Sequence, residues 1–251
     1  MKKTMKKKIK NKRALIVLPA RLNSNRLKEK LLIKVKGKTI LQWTYENGKK
    51  VPNTDVVVAT DSEIIAEEVK SFGGRSVLTP KDISSGTERV LYVADKVNYP
   101  IIINLQADEP MLSPKEIEKA LFLVEEGGFV STLCFRNTSL KDFNNPNNVK
   151  VVLNKDGEVV YFSRAPIPYQ SKEDFSFFFH HIGVYAFNSF FLKQILPNLT
   201  SSIDTLENLE QLKIIENNIS VKIDVIEGVS VGIDTEEDLI KFNKYLEGKD
   251  G

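Results

Sequence analysis

Two hydrophobic periods run along this chain. Short apolar or β-branched runs (ALIVLPA, DVVVATD, PIIINL) read as strands, while TILQWTYENGKK, SEIIAEEVKSFGG and SPKEIEKALFLVEEGG carry apolar residues at helical spacing. Thr39 is placed to cap the first of these helices, and glycine pairs such as Gly73-Gly74 end the other two. RSVLTP adds a strand, and SSGTERVLYVADKV turns from loop into helix. Strands alternating with helices at this spacing predict βαβ units and a parallel sheet, with ligands bound beyond the carboxyl ends of the strands. On that rule Arg21, Asp61 and Asp108, each just past a strand, line one crevice.

The pattern changes near residue 148. NVKVVLNKDGEVVYFSR reads as an antiparallel hairpin turning at Asn154 to Gly157, HHIGVYAF as a further strand, and LENLEQLKIIENN as one amphipathic helix. VSVGIDTEEDLIKFNKYL reads as a strand, a turn and a closing helix. No Ser/Gly-rich linker separates these parts. The expected organisation is a single domain over residues 14–251, with the hairpin lobe inserted at about 148–190.

Composition narrows the class. With 251 residues, 41% of them hydrophobic, the chain can bury a full core. The formal charge is +3, but Lys2, Lys3, Lys6, Lys7, Lys8, Lys10, Lys12 and Arg13 are eight cations without an acid among them, and removing them leaves −5. The body is therefore mildly acidic, and residues 1–13 read as a basic, disordered tail. A body of that sign argues against nucleic acid as the partner. The apolar run after the tail is short for a signal peptide and meets Arg21 directly; no other run approaches the length of a membrane span, so stable membrane association is not expected. The single cysteine, Cys134, lies in the apolar run FVSTLCF and reads as a core residue.

The loop after the first strand, RLNSNRLKEK, carries the first chemistry. It matches neither glycine-rich phosphate motif, so side-chain cations must do what backbone amides do in those loops. Arg21 and Arg26 offer planar forks to phosphate oxygens and Lys30 a point charge. Taken alone, the same loop reads equally as a solvated basic surface. Asp108 alone reads as a turn residue before Pro110, and Asp234 alone as a cap for the last helix.

Together the motifs say more. PARLNSNRLKEK, VATD, SSGTER, LQADEP, YFSRAPIP, HHIGVYAF, LENLEQL and VGIDTEEDL, in this order and spacing, resemble the 3-deoxy-D-manno-octulosonate (Kdo) cytidylyltransferases, the CMP-Kdo synthetases of bacterial lipopolysaccharide synthesis. The resemblance runs from residue 18 to about 245. It implies a Rossmann-like α/β fold of nucleotidyltransferase type, with a mostly parallel central sheet flanked by helices and an antiparallel hairpin lobe. It implies transfer of a cytidylyl group from CTP to Kdo, giving CMP-Kdo and pyrophosphate. By the same resemblance Arg21, Arg26 and Lys30 grip the triphosphate, with Thr60, Asp61 and Ser85 near the nucleotide. Asp108 and Asp234 match the family's magnesium-binding aspartates, so Mg²⁺ is the implied cofactor. Glu88, Arg89, Gln106, Arg164, His181, Tyr185, Glu210 and Gln211 match its sugar-acid residues. A homodimer working in the cytoplasm, where CTP is held, is also implied; transfer to 8-amino-Kdo or a nonulosonate is the rival activity. Two positions depart from the family pattern: Lys28-Glu29 replaces Pro-Gly before Lys30, and Ala107 replaces glycine.

Overall fold

The computed structural model describes residues 12–22, 27, 29–171, 173, 175–227 and 232–249. Most of the expected basic tail, residues 1–11, lies outside the described residues, as does Arg26. The last two tail cations are anchored: the Lys12 ammonium donates to the Thr54 carbonyl at 3.1 Å, and the Arg13 guanidinium pairs with Glu118 at 2.7 Å. The chain forms two compact units, residues 1–118 with 230–251, and residues 119–229.

In the first unit, β1 (Ala14–Ala20) is followed by a short 3₁₀ turn (Lys30–Leu32), a two-stranded ribbon of β2 (Lys34–Val35) and β3 (Lys38–Thr39), and helix α1 (Ile40–Lys49). Then come β4 (Thr54–Thr60), α2 (Glu63–Ser71), β5 (Ser76–Leu78), α3 (Gly86–Ala94) and β6 (Ile101–Leu105). The strands pair in parallel in the order β6-β1-β4-β5, with Ile16 opposite both Val56 and Ile103. β1 and the centres of β4 and β6 are apolar because helices cover the sheet: α1 packs on β4, α2 on β4 and β5, and α3 on β1, β4 and β6. The expected α/β fold with a parallel sheet is therefore what forms.

Local chemistry sets the helix ends. The Thr39 hydroxyl accepts from the Gln42 amide at 3.2 Å, Ser62 caps α2, and Ser85 with Glu88 forms a complete capping box on α3. Helix α2 ends through Gly73, in the left-handed region at φ 75°, and the Gly74 amide returns to the Val69 carbonyl at 2.8 Å. A Cβ on Gly74 would stand 2.7 Å from a Val69 methyl, so this turn admits only glycine. Helix α4 (Pro114–Glu125) spans the boundary between the units along the chain.

The second unit holds β7 (Val130–Asn137), the short α5 (Leu140–Phe143), β8 (Lys150–Leu153), β9 (Val159–Ser163) and β10 (Phe178–Asn188). One π-helical and one 3₁₀ turn follow, then α6 (Ile203–Glu207), α7 (Leu212–Glu216) and β11 (Val221–Ile226). Strand β7 pairs in parallel with β11 and antiparallel with β10; β8 and β9 form the antiparallel hairpin, and β8 also pairs with β10. The turn at Asn154 to Gly157 closes where the sequence places it, with the Asn154 amide donating to the Glu158 carbonyl at 2.9 Å.

One expectation changes here. LENLEQLKIIENN is not one helix: Asn208 takes the left-handed conformation at φ 53° and separates α6 from α7. The reason is polar. The Glu207 carboxylate accepts from the Ser163 hydroxyl at 2.6 Å and the Arg164 amide at 2.9 Å, which turns the chain out of the helix. The strand expected at VSV falls on residues 229–231, outside the described residues.

The last helix, α8 (Glu236–Lys249), belongs to the first unit, where the Phe242 ring stands edge-on to Trp43 at 6.1 Å and the Tyr245 hydroxyl donates to the Met111 carbonyl at 3.1 Å. No helix among the described residues is long and apolar enough to cross a membrane.

Candidate active site

The carboxyl ends of β1, β4, β5 and β6 deliver Arg21, Asp61, Thr79 and Gln106 to Asp108 to one edge of the first unit. Two clefts open there. One, of about 850 Å³, is lined by Arg21, Asp61, Ser62, Thr79 and Lys81 among others; the second, of about 250 Å³, by Arg21, Lys30, Gly86, Gln106 and Asp108 among others. Arg21 belongs to both. A cleft bordered by cations and by the amino end of α3, where the helix dipole is positive, is built for an anion.

Lys30 and the two aspartates meet. The Lys30 ammonium donates to Asp108 Oδ2 and, at 2.7 Å, to Asp234 Oδ1. The main chain brings the carboxylates together: the Ile233 amide donates to the Asp108 carbonyl at 2.9 Å, setting Asp234 alongside. Asp234 is not the helix cap. That work falls to Thr235 and Asp238, whose side chains and amides bond reciprocally at the start of α8. Burial opposes the charge on Lys30, yet Asp108 and Asp234 together outweigh it and raise its pKa above the ordinary lysine value.

Glu29, standing where the family carries glycine, takes the left-handed conformation at φ 50°, ψ 35°. The turn therefore keeps the backbone path a glycine would give. Ala107, the other departure, is absent from the positive-φ residues described, is buried, and accepts from the Thr44 hydroxyl through its carbonyl at 3.0 Å.

Several expected ligands hold the cleft's walls. Arg89 is fully buried; its guanidinium reaches Asp61 at 3.0 Å and the Thr79 hydroxyl, and its Nε has no partner among the described residues. Arg21 donates to the carbonyls of Ile83, at 3.0 Å, and Ser84. These contacts pin the loop from Thr79 to Ser85 from both sides. The Glu88 carboxylate accepts from the Ser84 and Ser85 amides at 3.1 and 3.2 Å. The Thr60 hydroxyl accepts from the Ser62 amide at 3.1 Å, and the Gln106 amide group donates to Asn104 at 3.2 Å. Nothing in the sequence marks Arg89 as buried, because its counter-charge lies 28 residues away.

The remaining expected residues lie in the second unit. Arg164 gives three of its five N–H groups to backbone carbonyls, of Glu207 at 2.8 Å, Pro146 at 3.0 Å and Asn208 at 3.2 Å. It thereby fixes the bend that precedes Glu210, which is exposed, and the half-buried Gln211. Lys150, with its side chain enclosed, donates to the carbonyls of Asn145, Asn148 and Arg164 and holds the same corner; the sequence gives no hint of it.

His181 Nε2 lies 3.0 Å from the Thr132 hydroxyl, whose own proton goes to the Val184 carbonyl at 2.7 Å. The threonine oxygen therefore accepts from Nε2–H, and Nδ1 is left as an acceptor. Burial, with a smaller push from His180, takes the His181 pKa down to about 3, so the ring is neutral at physiological pH. Its ring contacts Tyr185 at 5.3 Å. Burial raises the Tyr185 pKa well above the usual phenol value; the hydroxyl is enclosed near Thr132 and Glu210 without a well-formed hydrogen bond. A neutral imidazole acceptor and an underused phenol are suited to the hydroxyls of a polar ligand.

Comparison with known proteins fits this chemistry. The profile of the cytidylyltransferase family matches residues 15–223. A 3-deoxy-manno-octulosonate cytidylyltransferase of Francisella tularensis subsp. tularensis (strain SCHU S4 / Schu 4) is 41% identical over 92% of this chain and 97% of its own length. One from Chloroherpeton thalassium is 38% identical over 94% and 99%. A solved structure of CMP:2-keto-3-deoxy-manno-octonic acid synthetase complexed with CTP superposes with a TM-score of 0.86 at 35% identity, covering 94% of this chain and 99% of that one. By profile, sequence and fold, the chain belongs to the cytidylyltransferase family, and within it to the 3-deoxy-manno-octulosonate cytidylyltransferases.

Proposed function

We propose that this chain transfers the cytidylyl group of CTP to the anomeric hydroxyl of Kdo, forming CMP-Kdo and releasing pyrophosphate, with Mg²⁺ as cofactor. The observation that carries the reading is the convergence of Lys30, Asp108 and Asp234 beside Arg21 at the carboxyl edge of a parallel sheet. The anomeric hydroxyl gives up its proton to water as its oxygen forms a bond to the α-phosphorus and the bond to the bridging oxygen of pyrophosphate breaks, and negative charge builds on the leaving group. Arg21 and Lys30 are the described cations placed to stabilise that charge. The loop from Thr79 to Ser85, held by Arg89 and Arg21, shapes the nucleotide's cleft.

The residues fit a magnesium ion. Mg²⁺ is ordinarily held by one or two carboxylates plus phosphate oxygens and water, and two carboxylates here close on a single cation, the Lys30 ammonium. Asp108 and Asp234 would hold it, and when bound it would neutralise phosphate charge. In the second unit, His181 and Tyr185 would read sugar hydroxyls, with Arg164 and Lys150 holding the bend before Glu210. The family's homodimer is part of the same proposal, supported by the exposed Val160, Tyr169 and Leu206 in that unit.

The test is pyrophosphate release from CTP and Mg²⁺ with Kdo, 8-amino-Kdo or N-acetylneuraminate, each against a no-sugar control. Release with Kdo, reduced by about 10²-fold or more in Asp108→Asn and Asp234→Asn, is expected. Release with another acid alone would move the substrate, and unchanged aspartate variants would overturn the role given to that pair.

A further inference from the structure

The Asp108–Asp234 pair has a cation already. Lys30 Nζ bonds both carboxylates, its side chain is only 14% exposed, and the two partners are 25% and 37% exposed, so water screens the trio weakly. A divalent ion taking the same carboxylate oxygens would face a positive ammonium among them. The ion and Lys30 thus compete for one seat. Lys30 also lines the 250 Å³ cleft with Arg21 and Gln106, where an anion would give the displaced ammonium a new partner without leaving the site.

From these contacts, and building on the function proposed above, we infer that Lys30 is the resident counter-ion of the aspartate pair in the substrate-free protein, and that divalent cation and triphosphate enter together, each favouring the move of Lys30 from carboxylates to phosphate. The lysine then does more than bind phosphate. It keeps metal affinity low until nucleotide arrives, and by linkage whatever raises metal affinity through the triphosphate raises triphosphate affinity through the metal by the same factor. The moving part is one side chain on the first residue of a 3₁₀ turn, so no domain motion is needed.

The experiment measures Mn²⁺ binding to the full chain without nucleotide or sugar, from the electron paramagnetic resonance signal of free Mn²⁺. Lys30→Met and Lys30→Gln are expected to bind Mn²⁺ at least tenfold more tightly than the wild type, and Lys30→Arg, which keeps the charge, to stay near wild type. Adding Asp108→Asn to either neutral variant should remove the gain, which assigns it to this site. Circular dichroism checks that each variant is folded, and either neutral variant suffices for the comparison. Equal or weaker Mn²⁺ binding in the neutral variants overturns the inference, as does a gain that survives Asp108→Asn. Because no turnover is read, the result stands apart from which sugar acid the protein uses.

Discussion

Asp61 and Arg89 form an ion pair of unequal enclosure, and that asymmetry gives a sharp expectation. The Arg89 side chain is 0% exposed and the Asp61 side chain 22%. In Asp61→Ala the guanidinium keeps, among the described residues, the Thr79 hydroxyl and a 3.5 Å contact to the Ile83 carbonyl, and its enclosed charge loses its carboxylate partner. Removing one partner of a buried pair costs about 3–5 kcal/mol, and the partial exposure of Asp61 places this case near about 3 kcal/mol. In Arg89→Met the volume is largely kept and the orphaned carboxylate can hydrate, so the loss should be about 1–2 kcal/mol. The double variant should resemble Arg89→Met, giving a coupling of about 3 kcal/mol, the whole of the Asp61→Ala loss. For a chain of this size the single losses correspond to drops of about 6–12 °C and about 2–8 °C in Tm. Urea unfolding followed by the fluorescence of Trp43, the single tryptophan and a residue of the same unit, reads the effect directly. Equal single losses, or a double variant equal to their sum, would refute the argument that enclosure of the arginine decides the cost.

Three further outcomes are expected. The folded-state pKa of His181, about 3 against an ordinary 6.5, means the unfolded chain binds the extra proton between those values; stability is full above about pH 6.5 and falls as pH drops through the window. From pH 7.5 to 5.5 this residue should cost roughly 1 kcal/mol, and His181→Asn should lose that share of the shift in urea midpoint; an unchanged pH response would count against it. Cys134, its thiol pushed up to about 12 by burial and then by Asp224, should ignore dithionitrobenzoate in the native protein at pH 8 and react with one equivalent in guanidinium; fast native labelling would contradict the burial. Glu29→Gly should raise stability by about 0.5–1 kcal/mol in the same urea assay by relieving the left-handed backbone, and a loss would mean the glutamate side chain holds the turn.

What the sequence made legible follows from range. Strands β1, β4 and β6 stand out because a parallel strand covered by helices carries a continuous apolar run (ALIVLPA, VVVA, III), and α2 and α3 because their caps sit within four residues of the groups they satisfy. Strand β11 carries Lys222 and Asp224 between its apolar residues and gives a weaker signal. The break at Asn208 depends on Glu207 answering Ser163 and Arg164, more than 40 residues away, so local helical spacing could not show it. The candidate site divides in the same way. Asp108 and Asp234 are recognisable from their motifs, but the placement of Lys30 between them is a contact across 78 and 204 residues, and Arg89 in SGTER reads as a surface charge until Asp61 is placed beside it.

The discontinuity of the first unit has a consequence for biosynthesis. Strands β1, β4, β5 and β6 are all made before residue 106, and the sheet they form holds Arg21 and Asp61. Asp234 is synthesised 126 residues after Asp108, once the whole second unit has been made. At ribosomal rates of about 5–20 residues per second that interval lasts roughly 6–25 s. Through it Lys30 and Asp108 lack Asp234 beside them, α8 is missing from Trp43, and the nascent sheet carries an unfinished site. The chain thus acquires the cleft beside Arg21 early and its second carboxylate late, which separates the time at which that cleft can form from the time at which the aspartate pair is complete.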